Sequence, residues 1–217
     1  MGFLFPRVYP ILDASTIPAA GRAEFLFRLG SELARAGVTL LEYRNKTGTE
    51  EEILTDARIL RRVLPAPNIK LILNDRADLV EQTGFDGTHV DAGDVTPREA
   101  RRILGRERIV GTFGGPVEKD GGLAPGILEE PVDYLAIGPV FATQTKQTSK
   151  APIGVEGVRR MRALAGPERI LTAAGGITLA SAAEVLEAGA SSVAVSAALF
   201  HAVDPAAEFQ RWMARLA

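Results

Sequence analysis

Ile170-Leu171-Thr172-Ala173-Ala174-Gly175-Gly176-Ile177-Thr178 sets the rhythm of the whole chain. A short apolar and β-branched run stops at a glycine pair, and Thr178 then opens an amphipathic segment. The stretch reads as a strand, a tight turn and a helix. On either side the same unit recurs. Strand signals fall at 7–12, 39–43, 70–73, 87–90, 109–111, 134–137, 170–174 and 192–195. Between them lie runs with helical spacing, such as Ile53, Leu54, Ala57, Leu60, Val63 and Leu64. Thr49 with Glu52, and Thr96-Pro97 with Glu99, read as capping boxes; Thr178 and Asp204-Pro205 are further helix starts.

Eight strand signals in 217 residues give one signal per about 27 residues, the size of a βα unit. Unbroken alternation calls for a parallel sheet, either open and doubly wound or closed. The count of eight, and one more amphipathic run over 206–216, favour the closed form, an α/β fold of the (βα)8 TIM-barrel type. No Gly-x-Gly-x-x-Gly follows the first strand, which argues against dinucleotide binding. The fifth unit is irregular, since Gly114-Gly115-Pro116 and Gly121-Gly122 leave little room for a full helix before Asp133. No linker divides the chain, so residues 1–217 are expected to form a single domain.

Composition narrows the function. Hydrophobic residues make up 46% and charged residues 24%, which excludes wholesale disorder. A net charge of −2 gives no field for nucleic acid or an anionic membrane. The absence of Cys removes disulfides, thiolate nucleophiles and thiolate metal sites. The opening Met1-Gly2-Phe3-Leu4-Phe5 has no basic lead and is broken at Pro6, and no apolar run reaches membrane-spanning length. The expectation is a soluble cytoplasmic protein acting on small molecules, without nucleic-acid or membrane partners; a homo-oligomer is left open.

In such a barrel the site forms where the strands run out into their following loops. The second strand runs into Glu42-Tyr43-Arg44-Asn45-Lys46, the third into Asn74-Asp75, and the fourth towards Asp91 and Asp94. The sixth leads to Thr143-Gln144-Thr145-Lys146, the seventh to Gly175-Gly176, and the eighth to Val195-Ser196. Arg44 or Lys46 alone reads equally as a surface charge. Spaced by two in extended chain they share a face, and a guanidinium with an ammonium suits a diphosphate. Asn74-Asp75 and Asp94 each read as cap or turn residues. Together, Asp75 and Asp94 resemble a magnesium site completed by phosphate oxygens. Gly175-Gly176 with Ser196 matches the place where barrels bind a phosphate monoester, or else is a tight turn. The loop 142–152 is either solvated or a closing lid. His89, inside a strand, reads as packed or hydrogen-bonded, and the Arg pairs 61/62, 101/102 and 159/160 read as solvated helix faces.

Several segments, in order, carry a resemblance: Tyr-Arg-Asn-Lys at 43–46, Leu-Asn-Asp-Arg-Ala-Asp-Leu at 73–79, and Asp-Gly-Thr-His-Val-Asp-Ala-Gly-Asp at 86–94. They continue with Asp-Tyr-Leu-Ala-Ile-Gly-Pro-Val-Phe-Ala-Thr-Gln-Thr-Lys at 133–146 and Ala-Ala-Gly-Gly-Ile at 173–177. The chain resembles the thiamine-phosphate synthase family over nearly its whole length. That resemblance implies a magnesium-dependent transferase. It would join hydroxymethylpyrimidine diphosphate to hydroxyethylthiazole phosphate, giving thiamine phosphate and diphosphate.

By the same resemblance Arg44, Lys46, Asn74 and Lys146 hold the diphosphate, with Lys146, Arg44 and Lys46 stabilising it as it leaves. Asp75 and Asp94 bind Mg2+, and Thr143, Thr145, Gly176, Val195 and Ser196 receive the thiazole phosphate. The family usually has Gln at the position of Glu42, Glu at that of Asn45 and a small residue, commonly Ser, at that of Phe113. Glu42 and Phe113 correspond to positions that meet the pyrimidine. Two other readings compete: a thiazole tautomerase-like isomerase, and a non-catalytic homologue that binds thiazole phosphate. The retained Thr-x-Thr-Lys segment favours the synthase.

Overall fold

The structure, a computed structural model, describes residues 4–91, 93–116, 122–143 and 151–217. Eight parallel strands close into a barrel in sequence order. They are β1 (Val8–Asp13), β2 (Leu40–Arg44), β3 (Lys70–Asn74), β4 (Gly87–Val90), β5 (Ile109–Gly115), β6 (Tyr134–Ile137), β7 (Ile170–Ala174) and β8 (Ser192–Val195). Around them run α1 (Arg22–Arg35), α2 (Glu50–Val63), α3 (Val80–Thr83), α4 (Pro97–Leu104), α5 (Gly154–Ala165), α6 (Leu179–Glu187), α7 (Ala197–Phe200) and α8 (Pro205–Arg215).

The expected helix starts hold. Thr49 accepts from the Glu52 N–H while Glu52 accepts from the Thr49 N–H, a two-way box. Thr96 accepts from the Glu99 N–H at 3.2 Å, Thr178 and Ser181 form a second two-way box, and Asp204 accepts from the Ala207 N–H at 2.9 Å. Each such cap stabilises its helix by roughly 1 kcal/mol.

Strand alternation divides the core in two. Residues of one parity, including Leu12, Leu41, Tyr43, Leu71, Leu73, Leu135 and Leu171, meet the helices in one large cluster. The other parity places Tyr9, Leu40, Ile72, Tyr134 and Ala194 together inside the barrel. Fully burying one such large apolar side chain contributes roughly 1.5–3 kcal/mol.

β5 runs on to Gly115, four residues beyond the expected stop at Gly111. Gly111 is no turn: a Cβ there would sit 2.0 Å from the Tyr134 ring carbon Cζ, so glycine is what lets the ring lie against this strand. The register with β6 shifts between Phe113 and Gly115. After β5 the described residues form only a 3-10 turn, Ile127–Glu129, in keeping with the irregular fifth unit.

Two of the arginines expected in solvated pairs are not solvated. Arg61 Nη1 donates to the carbonyls of Leu64 and Ile69, and its Nη2 pairs with Asp86. Arg101 Nη1 donates to Gly105 O at 2.9 Å and Arg108 O at 2.6 Å, and its Nη2 reaches Asp133 at 2.7 Å. Arg162 repeats the pattern on Gly166 O, Arg169 O and Ser191 Oγ. In all three, Nη1 bridges the end of its own helix to the residue just before the next strand. Nη2 reaches an acceptor preceding the strand after that. The three acceptors, Asp86, Asp133 and Ser191, also receive the backbone N–H of Leu71, Val110 and Leu171. These clamps fasten the end of the barrel where the strands begin. Arg62, Arg102, Arg159 and Arg160 are exposed, as expected.

Candidate active site

At the opposite end, where the strands finish, a cavity of about 270 Å³ opens. Its lining follows the inward parity of successive strands: Tyr9, Ile11 and Asp13 on β1, Glu42 and Arg44 on β2, Asn74 on β3, and His89 on β4. Phe113, Tyr134, Ala136, Thr172, Ala174 and Ala194 continue it, and Thr143, Gly175, Gly176, Val195 and Ser196 close the rim.

The β2–β4 side carries the charge. Arg44 ends β2 beside Asp13, its register partner, and the two form an ion pair. Lys46 is paired with Asp75, which follows β3 in a left-handed conformation at φ 68°. Burial and the neighbouring Asp94 carboxyl push the Asp75 pKa up to about 6, against the pull of Lys46. Asp75 Oδ1 is buried and has no hydrogen-bond partner among the described residues. Asp94 Oδ2 accepts from the Asp91 N–H at 3.0 Å. Two carboxyls crowded together, one with an orphaned oxygen, form a hard oxygen donor set that suits Mg2+. Among the described residues no three His, Cys, Asp or Glu side chains gather to hold a metal unaided. A magnesium ion here would therefore take further oxygens from substrate and water. Asn74, at the end of β3, is buried and lines the cavity.

The floor is a directed chain of hydrogen bonds. The Tyr9 hydroxyl donates to Glu42 Oε2 at 2.8 Å and lies 2.9 Å from the Tyr134 hydroxyl, which is 3.0 Å from His89 Nδ1. With Tyr9's proton given to Glu42, Tyr134 donates to Tyr9, and the Nδ1–H of His89 donates to Tyr134. Burial first, and Glu42 beside them, raise the pKa of both tyrosines well above the usual phenol value, which keeps these protons in place. The His89 ring also stacks on Tyr134, with centroids 5.6 Å apart. His89 is thus packed and hydrogen-bonded, as its position inside a strand implied.

The β7–β8 side is made of backbone. Gly175 and Gly176 have φ of 93° and 66°, and a Cβ on Gly176 would meet the Ala142 carbonyl oxygen at 2.4 Å. A Cβ on Gly175 would meet Pro139 Cβ at 2.6 Å, so only glycines allow the loop after β6 to pack here. Val195 is buried at the end of β8. The buried Ser196 Oγ has no hydrogen-bond partner among the described residues. An unmet buried hydroxyl costs roughly 1–3 kcal/mol, so this corner suits a bound acceptor.

The structure thus gathers Glu42, Arg44, Asn74, Phe113, Thr143, Gly176, Val195 and Ser196 around one cavity, with Lys46, Asp75 and Asp94 grouped at the β2–β4 end. Thr145 and Lys146, with most of the suspected lid, lie outside the described residues. Tyr9, Asp13, Tyr134 and Thr172 were missed, although Asp13 is the register partner of Arg44.

A family model described as thiamine monophosphate synthase matches residues 8–199. The thiamine-phosphate synthase of Koribacter versatilis is 43% identical over 204 residues, covering 94% of this chain and 92% of its own. That of Agrobacterium fabrum is 35% identical over 201 residues, with 91% and 88% covered. The solved thiamine phosphate pyrophosphorylase from Pyrococcus furiosus shares the fold, with a TM-score of 0.74 at 24% identity over 97% of this chain and 95% of that one. The chain belongs to the thiamine monophosphate synthase family.

Proposed function

We propose that the protein joins hydroxymethylpyrimidine diphosphate to hydroxyethylthiazole phosphate, releasing diphosphate and forming thiamine phosphate. The carrying observation is that one cavity is lined by Arg44 and Asn74 on one side, next to the Lys46, Asp75 and Asp94 group in the loops after β2–β4, and by Gly176 with Ser196 at the ends of β7–β8. That is the layout a reaction between a diphosphate ester and a phosphate monoester requires.

In this reading Arg44, Lys46 and Asn74 bind the diphosphate, and Lys146 joins them by its place in the Thr-x-Thr-Lys segment. Magnesium held by Asp75 and Asp94 would neutralise charge on the departing diphosphate. The Arg44 and Lys46 cations stabilise the same developing charge. Bond breaking leaves a carbocation-like pyrimidine methylene, which the electron-rich aminopyrimidine stabilises. The thiazole nitrogen then attacks it. Thr143, Thr145, Gly176, Val195 and Ser196 hold the thiazole phosphate so that its ring nitrogen faces the methylene. Glu42 receives the amino group of the pyrimidine, and Phe113 covers part of the ring. No protein base is needed. The chain acts as one domain, in the cytoplasm.

A coupled assay for diphosphate release tests this, with each substrate and magnesium omitted in turn. Release that requires all three, with thiamine phosphate as product, is the expected result. Turnover of thiazole phosphate alone without magnesium would instead mark an isomerase. Ligand binding without any condensation would mark a non-catalytic homologue.

A further inference from the structure

We infer that Thr172 is a further substrate-contacting residue: its hydroxyl donates to the pyrimidine ring nitrogen that lies across the ring from the amino group. The inference rests on the proposed reading of the cavity and adds to it a contact that the sequence did not suggest.

Thr172 sits in the middle of β7 with 0% exposure and lines the cavity. Its Oγ1 is buried and has no hydrogen-bond partner among the described residues. Other strand threonines differ. Thr88 donates to Leu73 O at 2.7 Å and Thr112 to Val90 O at 2.8 Å, each using a neighbouring strand carbonyl. Both have the opposite parity and point away from the cavity. Thr172 points inward and makes no such bond.

Small side chains flank it. Ala136 is its register partner on β6, Ala174 follows it along β7, and Ala194 faces the same space from β8. Next to these alanines, Thr172 is the polar side chain that lines the cavity. Glu42 stands three strands away around the ring of eight, on a nearly opposite wall. The depths agree as well. Glu42 lies two residues below Arg44, and Thr172 lies two residues below the last residue of β7. With both phosphates at the rim, a ring beneath them would lie between these two side chains.

Counting donors decides the role. An aminopyrimidine presents an amino donor on one side and a ring-nitrogen acceptor directly across. Glu42, as a carboxylate, only accepts. The floor hydroxyls are already committed, because Tyr9 donates to Glu42 and Tyr134 donates to Tyr9. Ser192, the register partner of Thr172 on β8, has a buried Oγ equally unpartnered among the described residues but does not line the cavity. Among the floor side chains that do line it, the hydroxyl with an uncommitted proton is that of Thr172.

Calorimetry of hydroxymethylpyrimidine diphosphate and of hydroxyethylthiazole phosphate, titrated separately, tests this on wild type, Thr172→Val, Thr172→Ser and Ser192→Ala. Thr172→Val should weaken pyrimidine-diphosphate binding roughly tenfold, the scale of one lost neutral hydrogen bond. Thr172→Ser should restore it, and thiazole-phosphate binding should not move. Ser192 shares the parity of Thr172 and has an Oγ unpartnered among the described residues but does not line the cavity, and Ser192→Ala should leave both ligands unchanged. A pyrimidine diphosphate with CH in place of that ring nitrogen should bind wild type about tenfold less well and Thr172→Val no worse than the parent ligand does.

Equal binding of the parent ligand by wild type and Thr172→Val would overturn the inference, as would equal losses for both substrates. Because binding is read without turnover, wild type that binds the pyrimidine but forms no product would sink the synthase reading alone. The Thr172→Val ratio would still decide this contact. Wild type that does not bind the pyrimidine would sink both.

Discussion

Asp13 at the end of β1 grips the guanidinium of Arg44, its register partner at the end of β2, and holds it against the cavity wall. The same carboxylate accepts from the Ser15 N–H at 3.0 Å and the Ser15 hydroxyl at 2.6 Å. It therefore ties the first turn after β1 to the first cation of the proposed diphosphate site. Asp13→Asn keeps the shape and removes the charge. The KM for pyrimidine diphosphate should rise about tenfold while that for thiazole phosphate stays level, as measured by steady-state kinetics.

The same residue predicts a pH effect. Burial pushes the Asp13 pKa up, but the Ser15 bonds and Arg44 outweigh it, and the net value lies below the ordinary carboxylate value. A depressed folded pKa adds stability that is present above the unfolded value and disappears as pH falls through the folded one. Denaturant unfolding below about pH 4 should therefore lose stability more steeply with falling pH in wild type than in Asp13→Asn. Parallel curves would mean that Asp13 contributes nothing to acid sensitivity.

For the proposed metal carboxylates, Asp75→Asn or Asp94→Asn should cut synthesis on the order of a hundredfold, the scale of losing one electrostatic stabiliser. Either change should also raise the magnesium concentration needed for half-maximal rate. Unchanged magnesium dependence in both variants would remove these residues from the site.

Glu42→Ala should weaken pyrimidine-diphosphate binding and spare thiazole phosphate. It also strips Tyr9 of its acceptor, at a cost of roughly 1–3 kcal/mol in stability. Glu42→Gln keeps an acceptor for Tyr9 and should retain both the fold and most of the affinity, as calorimetry with thermal unfolding would report. Phe113→Ala should weaken pyrimidine binding. A gain of binding would identify Phe113 as a plug and favour the non-catalytic reading.

Much of this was legible in the sequence because chemistry and period coincided. β4, β6, β7 and β8 have the boundaries that their β-branched runs suggested. β5 was cut short at Gly111 because a glycine-rich strand looks like a turn. Only Tyr134 on the neighbouring strand explains the need for glycine there. Rim residues such as Arg44, Asp75 and Gly176 were found by type and position after a strand. Tyr9, Tyr134 and Thr172 were not, since aromatic and β-branched residues inside strands read as core filler until the closed ring shows which parity faces the cavity. The arginine clamps were hidden for a different reason. Their acceptors lie 25, 32 and 29 residues away, beyond any local pattern.

Those clamps predict a separation of stability from activity. Arg162 makes four hydrogen bonds, to Gly166 O, Arg169 O, Gly189 O and Ser191 Oγ, and burial lowers its pKa. Arg162→Ala should lower unfolding stability by about 2–4 kcal/mol in urea titration, with both KM values unchanged. Arg162→Lys should recover little, because an ammonium cannot reproduce the planar fork.

The clamps occupy three intervals of chain that never overlap, from Arg61 to Asp86, Arg101 to Asp133 and Arg162 to Ser191. The bend around Gly37, between α1 and β2, lies outside all of them and has open space at its Cα. Arg7 Nη1 meanwhile donates to Leu216 O at 2.9 Å, which brings both extremities of the described chain together. A circular permutant reopened at Gly37, with those extremities joined by a short linker, would sever no clamp and would displace nothing on the rim. The order in which the chain is written is thus separable from the object it builds.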